Sequence, residues 1–568
     1  MPAFIEISLA LIGATFLGLL ARTFRQPVVL AYILAGVILG PAVLNFLHTK
    51  EIIETFSTFG IAFLLFLIGV EIDFRKLRAI SWTVVMIGCG QIIFTAGISY
   101  GILFLLHIPP LENLYIALAI TFSSTIIVVQ LLSERKALDS WHARLTVGML
   151  LIQDLVAVFA LVLLAALTPD TSQNASELLL TLSWFAIKGM LLLGAILLTS
   201  RLIFPRLFAQ FARSPELLFL GSISWCLLAA LAATALGFSL AIGALFAGLS
   251  LSQLQYHVEI SGRVRPIRDF FLTLFFVSLG AQIQLATLSS ILLPAIILSL
   301  FILIGNPLIV ITIMGVMRYR KRISFLVGVT VAQISEFSLI LIALGYSLGH
   351  VREQAVALVT LIAIITIPLS SYFILYAEKL YLILRPILSL FERKTPKDFR
   401  NLPETLSDHI ILFGYHRMGT IIAKTLKNLH LQKVVVDFNP EIIEQLLQEK
   451  EKALYGDIKD VELLSELHCD RARMIISTIP DFSDNMSLLT FLSTHHIKTP
   501  AYVTAENAND ALDLYRAGAR FVIFPQYLSA KQFSGLLHAT KLSTRPWSAE
   551  RTKQIRELRE TVEKKLPY

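Results

Sequence analysis

The sequence predicts two parts: an all-α polytopic membrane domain of about thirteen spans, then an α/β Rossmann-like domain. Three observations predict this. Apolar runs of bilayer length recur as far as about Leu390, in a chain that is 56% hydrophobic, 15% charged and of mean hydropathy +0.73. Two of these runs are interrupted at mid-span by small polar residues. Beyond residue 408, short β-branched runs alternate with helix-like segments, opening on a strand, a glycine turn and a helix start.

Composition sets further limits. The net charge of +8 does not point to nucleic acid, because the bases lie in short loops between apolar runs. Cys89, Cys226 and Cys469 show neither paired nor metal-ligand spacing, so no disulfide framework is expected. The start, Met-Pro-Ala-Phe-Ile-Glu, lacks a basic segment and leads into a spanning helix, so no cleavable signal is expected. Boundaries are expected at 1–385 for the membrane domain, 386–407 for a linker, 408–530 for the α/β domain and 531–568 for a charged helical tail.

Windows of about 20 apolar residues place spans near 3–21, 27–46, 55–72, 81–107, 113–132, 145–168, 180–204, 216–235, 237–255, 268–284, 288–316, 322–346 and 354–382. Alternate loops carry Arg22 and Arg25; Arg75, Lys76 and Arg78; Arg135, Lys136 and Arg144; Arg201, Arg206 and Arg213; Arg263, Arg265 and Arg268; and Arg318, Arg320, Lys321 and Arg322. The other loops hold little beyond Lys50 and Arg352. This bias puts the first set in the cytoplasm, so the N-terminus is expected outside and the C-terminal domain inside.

The fifth span reads Ala-Ile-Thr121-Phe-Ser123-Ser124-Thr125-Ile, and the twelfth reads Val-Ala-Gln333-Ile-Ser335-Glu336-Phe-Ser338. Hydroxyl clusters offer the backbone alternative hydrogen bonds and favour unwinding. Irregular backbone survives at this depth only when protein covers it or it lines a cavity. The two breaks correspond if spans one to six and eight to thirteen form inverted repeats, with span seven as linker. Such paired breaks point to an ion site at the repeat interface. Taken singly, each cluster reads equally as interhelical glue.

Gln153 and Asp154 form a lone amide–carboxylate pair in the sixth span. An ionised Asp at bilayer depth costs about 2.5–3.5 kcal/mol on insertion scales, so it marks an ion ligand, a proton carrier or both. The alternative is a carboxyl kept protonated or paired for structure. A carboxylate at the bundle centre holds either a dehydrated cation or a proton, and that competition is sufficient for exchange.

Several segments resemble the monovalent cation:proton antiporter family 2, in its Kef-type potassium/proton branch. They are Arg25-Gln-Pro27 through Gly36 to Gly40-Pro41; Gly60 through Gly69-Val-Glu71-Ile-Asp73; Ser239-Leu-Ala-Ile-Gly243 through Gly248; Phe275-Phe-Val-Ser-Leu-Gly280; and Gln153-Asp154. The resemblance covers about residues 1–540. It implies a secondary antiporter, not an enzyme, in the cytoplasmic (inner) membrane and in contact with lipid. It also implies a homodimer, a fold like that of sodium/proton antiporters, and an elevator-like movement of a core domain against a dimerisation domain. Asp154 is implied as the ion and proton residue, with Gln153, Thr121, Ser123, Ser124, Thr125, Gln333, Ser335, Glu336 and Asn306 around it. Electrogenic relatives carry a further acid and a lysine at the positions that align with Gln153 and Asn306. Their neutrality here implies electroneutral exchange of one proton per K⁺, with Na⁺ as the alternative cation. Glu71 and Glu216 are expected near cytoplasmic span ends, snorkelling or paired with loop bases. Glu336 is expected to support the site, compensating a half-helix N-terminus or an arginine.

In the soluble part, Asp408-His-Ile-Ile-Leu-Phe-Gly414-Tyr-His416-Arg417-Met418-Gly419 reads as strand, tight turn and helix start. Lys433-Val-Val-Val-Asp437 follows, its acid about 20 residues past the turn, where it suits a ribose hydroxyl; the helix N-terminus suits a pyrophosphate. Units at Ala453-Leu-Tyr-Gly456-Asp457, Met474-Ile-Ile-Ser477-Thr478, Ala501-Tyr-Val-Thr-Ala505 and Arg520-Phe-Val-Ile-Phe-Pro525 continue the alternation, giving a doubly wound parallel sheet. This part resembles the RCK or TrkA-N regulatory domain of potassium transporters and channels. The resemblance implies a nucleotide held by Gly414, His416, Arg417, Met418, Gly419, Asp437, Asp457 and Thr478. His416 stands where the dinucleotide fingerprint has its second glycine, so NAD(H) and an adenine nucleotide such as AMP or ATP both stand. A domain that dimerises and binds nothing is the other reading. In the tail, Glu550-Arg-Thr-Lys-Gln-Ile-Arg-Glu-Leu-Arg-Glu560 reads as a solvated amphipathic helix.

Two other classes fit less well. A K⁺ channel filter needs Thr-Val-Gly-Tyr-Gly carbonyl rings, but Thr146-Val147-Gly148 is followed by Met149. An oxidoreductase lacks a candidate catalytic group beside the glycine turn.

Overall fold

The structure is a computed structural model. It describes residues 3–46, 50–71, 82–134, 141–165, 188–189, 191–192, 194–196, 198–283, 285–317, 319–391, 407–437, 440–456 and 458–540. The chain divides into two compact units, Met1–Arg393 and Lys394–Tyr568.

The first unit is helical: α1 (Ala3–Thr23), α2 (Val28–Leu39), α3 (Lys50–Glu71), α4 (Trp82–Leu105), α5 (Pro110–Ala119), α6 (Thr125–Glu134), α7 (Trp141–Ala165) and α8 (Phe204–Phe211) come first. Then follow α9 (Pro215–Ala235), α10 (Leu240–Leu251), α11 (His257–Ala281), α12 (Leu285–Leu300), a π-helical turn (Phe301–Gly305), α13 (Asn306–Val316), α14 (Lys321–Thr330), α15 (Glu336–Ser347), α16 (Glu353–Leu375) and α17 (Ala377–Leu388). Proline opens several of them, at the N-cap of α2 and in the first turn of α5 and α9, where no intrahelical N–H bond is lost.

These helices pack as two groups. In one, α1 lies on α2, α2 and α3 on α11, and α3 and α9 on α10. In the other, α4 lies against α5, α7 and α13, while α14 touches α7 and α13 and α15 touches α5, α7 and α16. Two glycine pairs hold the first group at backbone contact. A Cβ on Gly36 would overlap the Val277 carbonyl, and one on Gly280 the Ile33 carbonyl; Gly69 and Gly248 meet in the same way across α3 and α10. The family-like glycines of the sequence are thus the points of closest helix approach.

Length alone does not recover thirteen spans. Among the described residues, six helices are long and apolar enough to cross a bilayer: 4–23, 82–105, 142–164, 215–235, 288–316 and 353–375. Residues 28–39, 58–71, 240–251 and 336–347 are shorter apolar helices, and the first part of the expected span at 180–204, residues 180–187, lies outside the described residues. Two kinds of expectation need correction. Arg263, Arg265 and Arg268 are not in a loop, because α11 begins at His257 and runs through them, and Arg22, Arg144, Arg206, Lys321 and Arg322 likewise fall within helices rather than loops. A window scoring only apolar residues misses a helix whose first half is amphipathic, with Arg263 bonded to Glu259 and Arg265 to Glu71 at 2.9 Å. The linker also starts later than Pro386, since α17 continues through that residue to Leu388.

The second unit is a six-stranded parallel sheet of order β3-β2-β1-β4-β5-β6: β1 (Ile410–Phe413), β2 (Lys433–Asp437), β3 (Ala453–Tyr455), β4 (Met474–Ser477), β5 (Ala501–Thr504) and β6 (Phe521–Ile523). Helices α18 (Arg417–Asn428), α19 (Pro440–Gln448), α20 (Val461–Glu466), α21 (Phe482–Thr494), α22 (Ala508–Arg516) and α23 (Pro525–Thr540) complete the doubly wound pattern. β1 and β2 are buried throughout, as a sheet covered on both faces requires. The expected amphipathic helix at 550–560 and Asp457 lie outside the described residues.

Candidate functional site

Both predicted breaks are present. Residues 120–124 separate α5 from α6, and residues 331–335 separate α14 from α15. Side chains take over the backbone groups that a continuous helix would pair itself. Thr121 Oγ1 donates to the Leu118 carbonyl at 2.7 Å, and the Ile127 N–H donates to Ser124 Oγ at 3.3 Å. At the second break the Phe337 N–H donates to Ser335 Oγ at 3.2 Å and the Ser335 N–H to Ser338 Oγ at 3.1 Å. The breaks meet: Ser123 Oγ donates to the Val331 carbonyl at 3.2 Å, and Ser338 Oγ to the Phe122 carbonyl at 3.5 Å.

Helix α7 lays its polar pair against the first break. Thr125 Oγ1 donates to Asp154 Oδ2 at 2.8 Å, and the Ser123 N–H donates to Gln153 Oε1 at 2.9 Å. Asp154 is half-buried, whereas Gln153 is fully buried. Gln153 Nε2 donates to Gln91 Oε1 at 2.7 Å. Gln91 Nε2 in turn donates to the Thr121 carbonyl at 3.2 Å and to Thr95 Oγ1 at 3.1 Å. Thr95 Oγ1 donates to Asn306 Oδ1 at 3.0 Å. Asn306 follows the π turn at the start of α13, and its buried Nδ2 finds no hydrogen-bond partner among the described residues.

Thr121, Ser123, Gln153 and Asn306 are therefore joined through Gln91 and Thr95 in one network, and the Thr125–Asp154 pair is held next to it because Asp154 follows Gln153 on α7. Ser124 and Ser335 bond within their own breaks. Gln333 Oε1 accepts from Ser370 Oγ of α16 at 2.6 Å. Glu336 opens α15, where a carboxylate suits the helix N-terminus, and lies within electrostatic reach of Arg268, Asp154 and Asp269. Of the span-end acids, Glu71 pairs with Arg265 and accepts from Ser261 at 2.5 Å, and Glu216 accepts from Ser214 at 2.6 Å. Sequence reasoning missed Gln91, Thr95 and Ser370. The signal for Gln91 was a lone amide in an otherwise apolar span.

In the second unit, Gly414 sits at φ +84°, a left-handed conformation that favours glycine. A Cβ on Gly419 would overlap the Gly414 carbonyl, so the turn and α18 touch at backbone distance. His416 is the extended N-cap of α18 and makes no side-chain cap, which leaves the first helical N–H groups to other acceptors. Arg417 and Met418 begin the helix. Thr478 Oγ1 lies 3.1 Å from both the Phe413 and Gly414 carbonyls and fastens β4 to the turn. Asp437 is buried at the end of β2, and its Oδ2 accepts from the Tyr415 N–H at 2.7 Å. Its carboxylate thus shapes the turn.

Comparison with known proteins bears directly on these two units. The family described as sodium/hydrogen exchanger, transmembrane, matches residues 7–375, and the TrkA-N domain matches residues 410–525. K(+) efflux antiporter 5 of Arabidopsis thaliana is 32% identical over 400 residues, covering 67% of this chain and 68% of that protein. YbaL of Escherichia coli (strain K12), a cation/proton antiporter by name, is 25% identical over 543 residues, covering 92% of this chain and 97% of that one. The sodium proton antiporter MjNhaP1 of Methanocaldococcus jannaschii covers 69% of this chain at 18% identity with a TM-score of 0.48. The chain belongs to the sodium/hydrogen exchanger family, as a cation/proton antiporter of the Kef type with a TrkA-N domain.

Proposed function

We propose that this antiporter exchanges K⁺ for H⁺, with Asp154 binding the two in turn. The observation that carries the reading is the bond from Thr125 to Asp154, which holds the carboxylate beside the first break and so supports an ion site there. The dehydrated cation takes Asp154 and the nearby hydroxyls of Ser124 and Thr125. Gln153, Thr121, Ser123, Gln333, Ser335, Glu336 and Asn306 support that site. The second helix group carries it across the membrane against the first. K⁺ is favoured by the names of relatives such as K(+) efflux antiporter 5. Na⁺ is the second reading, favoured by the family description. Exchange is electroneutral, because Gln153 and Asn306 bring no further charge.

The N-terminus lies outside, the α/β unit lies in the cytoplasm of a homodimer in the inner membrane, and that unit regulates exchange by binding NAD(H) or an adenine nucleotide. The uncapped N-terminus of α18 and the bare Gly414–Gly419 approach fit a phosphate-bearing ligand. Proteoliposomes carrying a pH dye test the central reading. K⁺ should collapse an imposed pH gradient in wild type and fail to do so in Asp154→Asn. Exchange driven by Na⁺ alone replaces the substrate, and full activity in the variant removes Asp154 from the mechanism.

A further inference from the structure

We infer that Gln91 is a positioning residue of the exchange site, acting through Gln153 to clamp the first break from both sides. The inference rests on the reading of Asp154 as the ion carrier.

The direction of each hydrogen bond is fixed by the backbone. The Ser123 N–H can only donate, so Gln153 must turn Oε1 towards it. Its Nε2 then faces α4, and Gln91 must offer Oε1 in return. That leaves Gln91 Nε2 facing the Thr121 carbonyl, which can only accept. Neither amide can be reversed without setting donor against donor at one end and acceptor against acceptor at the other. Two side chains thus hold residues 121 and 123, on either side of Phe122, in one arrangement.

Burial makes the clamp decisive. Gln91 and Gln153 are both fully buried, so no water can replace a lost partner. Gln153 commits its oxygen and one N–H to bracing, leaving Asp154 as the charged group that meets the ion. The clamp is itself anchored: Thr95, one turn along α4, accepts the other Nε2 proton and ties the pair to Asn306 on α13. Gln91, Thr95 and Ser99 recur at four-residue spacing and are all fully buried, giving α4 one buried polar stripe. Because Thr125 and Ser124 take their positions from the break, loosening it must reach the ion even though Gln91 does not touch it.

The test measures K⁺-driven exchange in proteoliposomes for wild type, Gln91→Leu, Gln153→Leu, the double variant and Asp154→Asn, with thermal melts of each in detergent. Gln91→Leu is expected to raise the K⁺ concentration for half-maximal rate about tenfold, as for a lost buried hydrogen bond, with the maximal rate within about threefold of wild type. The double variant should be scarcely worse than Gln153→Leu alone, because the two residues act as a unit. Gln91→Glu, whose carboxylate accepts from Gln153 but cannot donate to Thr121, should lose at least as much as Gln91→Leu. Should Gln91→Leu fail to fold, Gln91→Asn, one methylene shorter, is read in the same way. An unchanged half-maximal concentration with only a lowered melting temperature overturns the inference, as does simple additivity. Continued exchange by Asp154→Asn overturns the carrier reading, whatever Gln91 does.

Discussion

Gln153 donates to Gln91 at 2.7 Å, and the relay that starts there ends on Asn306 by way of Thr95. An acid–lysine pair at the positions of Gln153 and Asn306 would bring two buried charges that each need the other. The relay joins α7 to α13 with neutral groups alone, so neither end is left as an uncompensated charge. The expected consequence is exchange without net current. Proteoliposomes should dissipate a pH gradient on K⁺ addition with no steady transport current, and a current that scales with the K⁺ gradient would sink the proposal. Asn306→Lys places an ammonium in a fully buried position whose relay ends on the neutral Gln153. It should destabilise the membrane unit by about 3–5 kcal/mol, read as lost folded protein in size-exclusion profiles.

Thr125 supplies a hydroxyl that touches Asp154, the proposed carrier. In Thr125→Val the shape is kept and the bond to Asp154 is lost. The cation should then compete less well with protons, and the half-maximal K⁺ concentration should rise about three- to tenfold, equivalent to roughly 0.7–1.4 kcal/mol. Thr125→Ser keeps the donor and should stay near wild type. Equal behaviour of the Val and Ser variants would show that the hydroxyl contributes nothing to binding.

How legible each feature was depended on its local signal. The breaks could be read because Thr121-Phe-Ser-Ser-Thr125 and Gln333-Ile-Ser-Glu336 concentrate hydroxyls and a charge within single turns of otherwise apolar runs. The α/β unit could be read because Gly414, Gly419 and Asp437 mark a turn geometry that few other residues satisfy. Gln91 could not be read in the same way. Its spacing from Thr95 and Ser99 marks only a buried polar face of a 24-residue apolar helix, and the meaning of the amide comes from Gln153, 62 positions away. The first half of α11 was hidden for the opposite reason: its arginines resemble a cytoplasmic loop until Glu71, on α3, is seen to receive Arg265.

The turn after β1 gives a nucleotide prediction. Gly419→Ala puts a methyl group into the Gly414 carbonyl and pushes the N-terminus of α18 away from the turn. Wild-type protein is expected to gain thermal stability with NAD⁺, NADH, AMP or ATP, each tested alone, and the ligand that binds most tightly should shift the melt most. Gly419→Ala should lose that shift and keep K⁺-driven exchange measurable. No shift with any of the four ligands in wild type would leave this unit as a dimerising domain without a nucleotide.

The last prediction concerns pH and the α/β unit. Lys433 is buried at the start of β2 and bonds Glu451 at 2.7 Å, and Lys427 reaches the same carboxylate at 2.7 Å. Burial pulls the Glu451 carboxyl upward, but the bonds from Lys427 and Lys433 outweigh it and hold the group below the usual glutamate range. A carboxyl that titrates lower when folded stabilises the fold above its unfolded value, near pH 4.3, and this stabilisation is lost as pH falls through the folded value. The unit should therefore hold its stability from neutrality to about pH 5 and weaken below that. Glu451→Gln should flatten this acid limb. At neutral pH it should cost about 1–3 kcal/mol, because the Lys433 ammonium stays buried against a neutral amide. Hydrogen exchange of the β2 amides in the full-length protein, corrected for the intrinsic pH dependence of exchange, reads both effects. Matching profiles for wild type and variant across pH 4–7 would remove Glu451 from the acid response and assign it to other carboxylates.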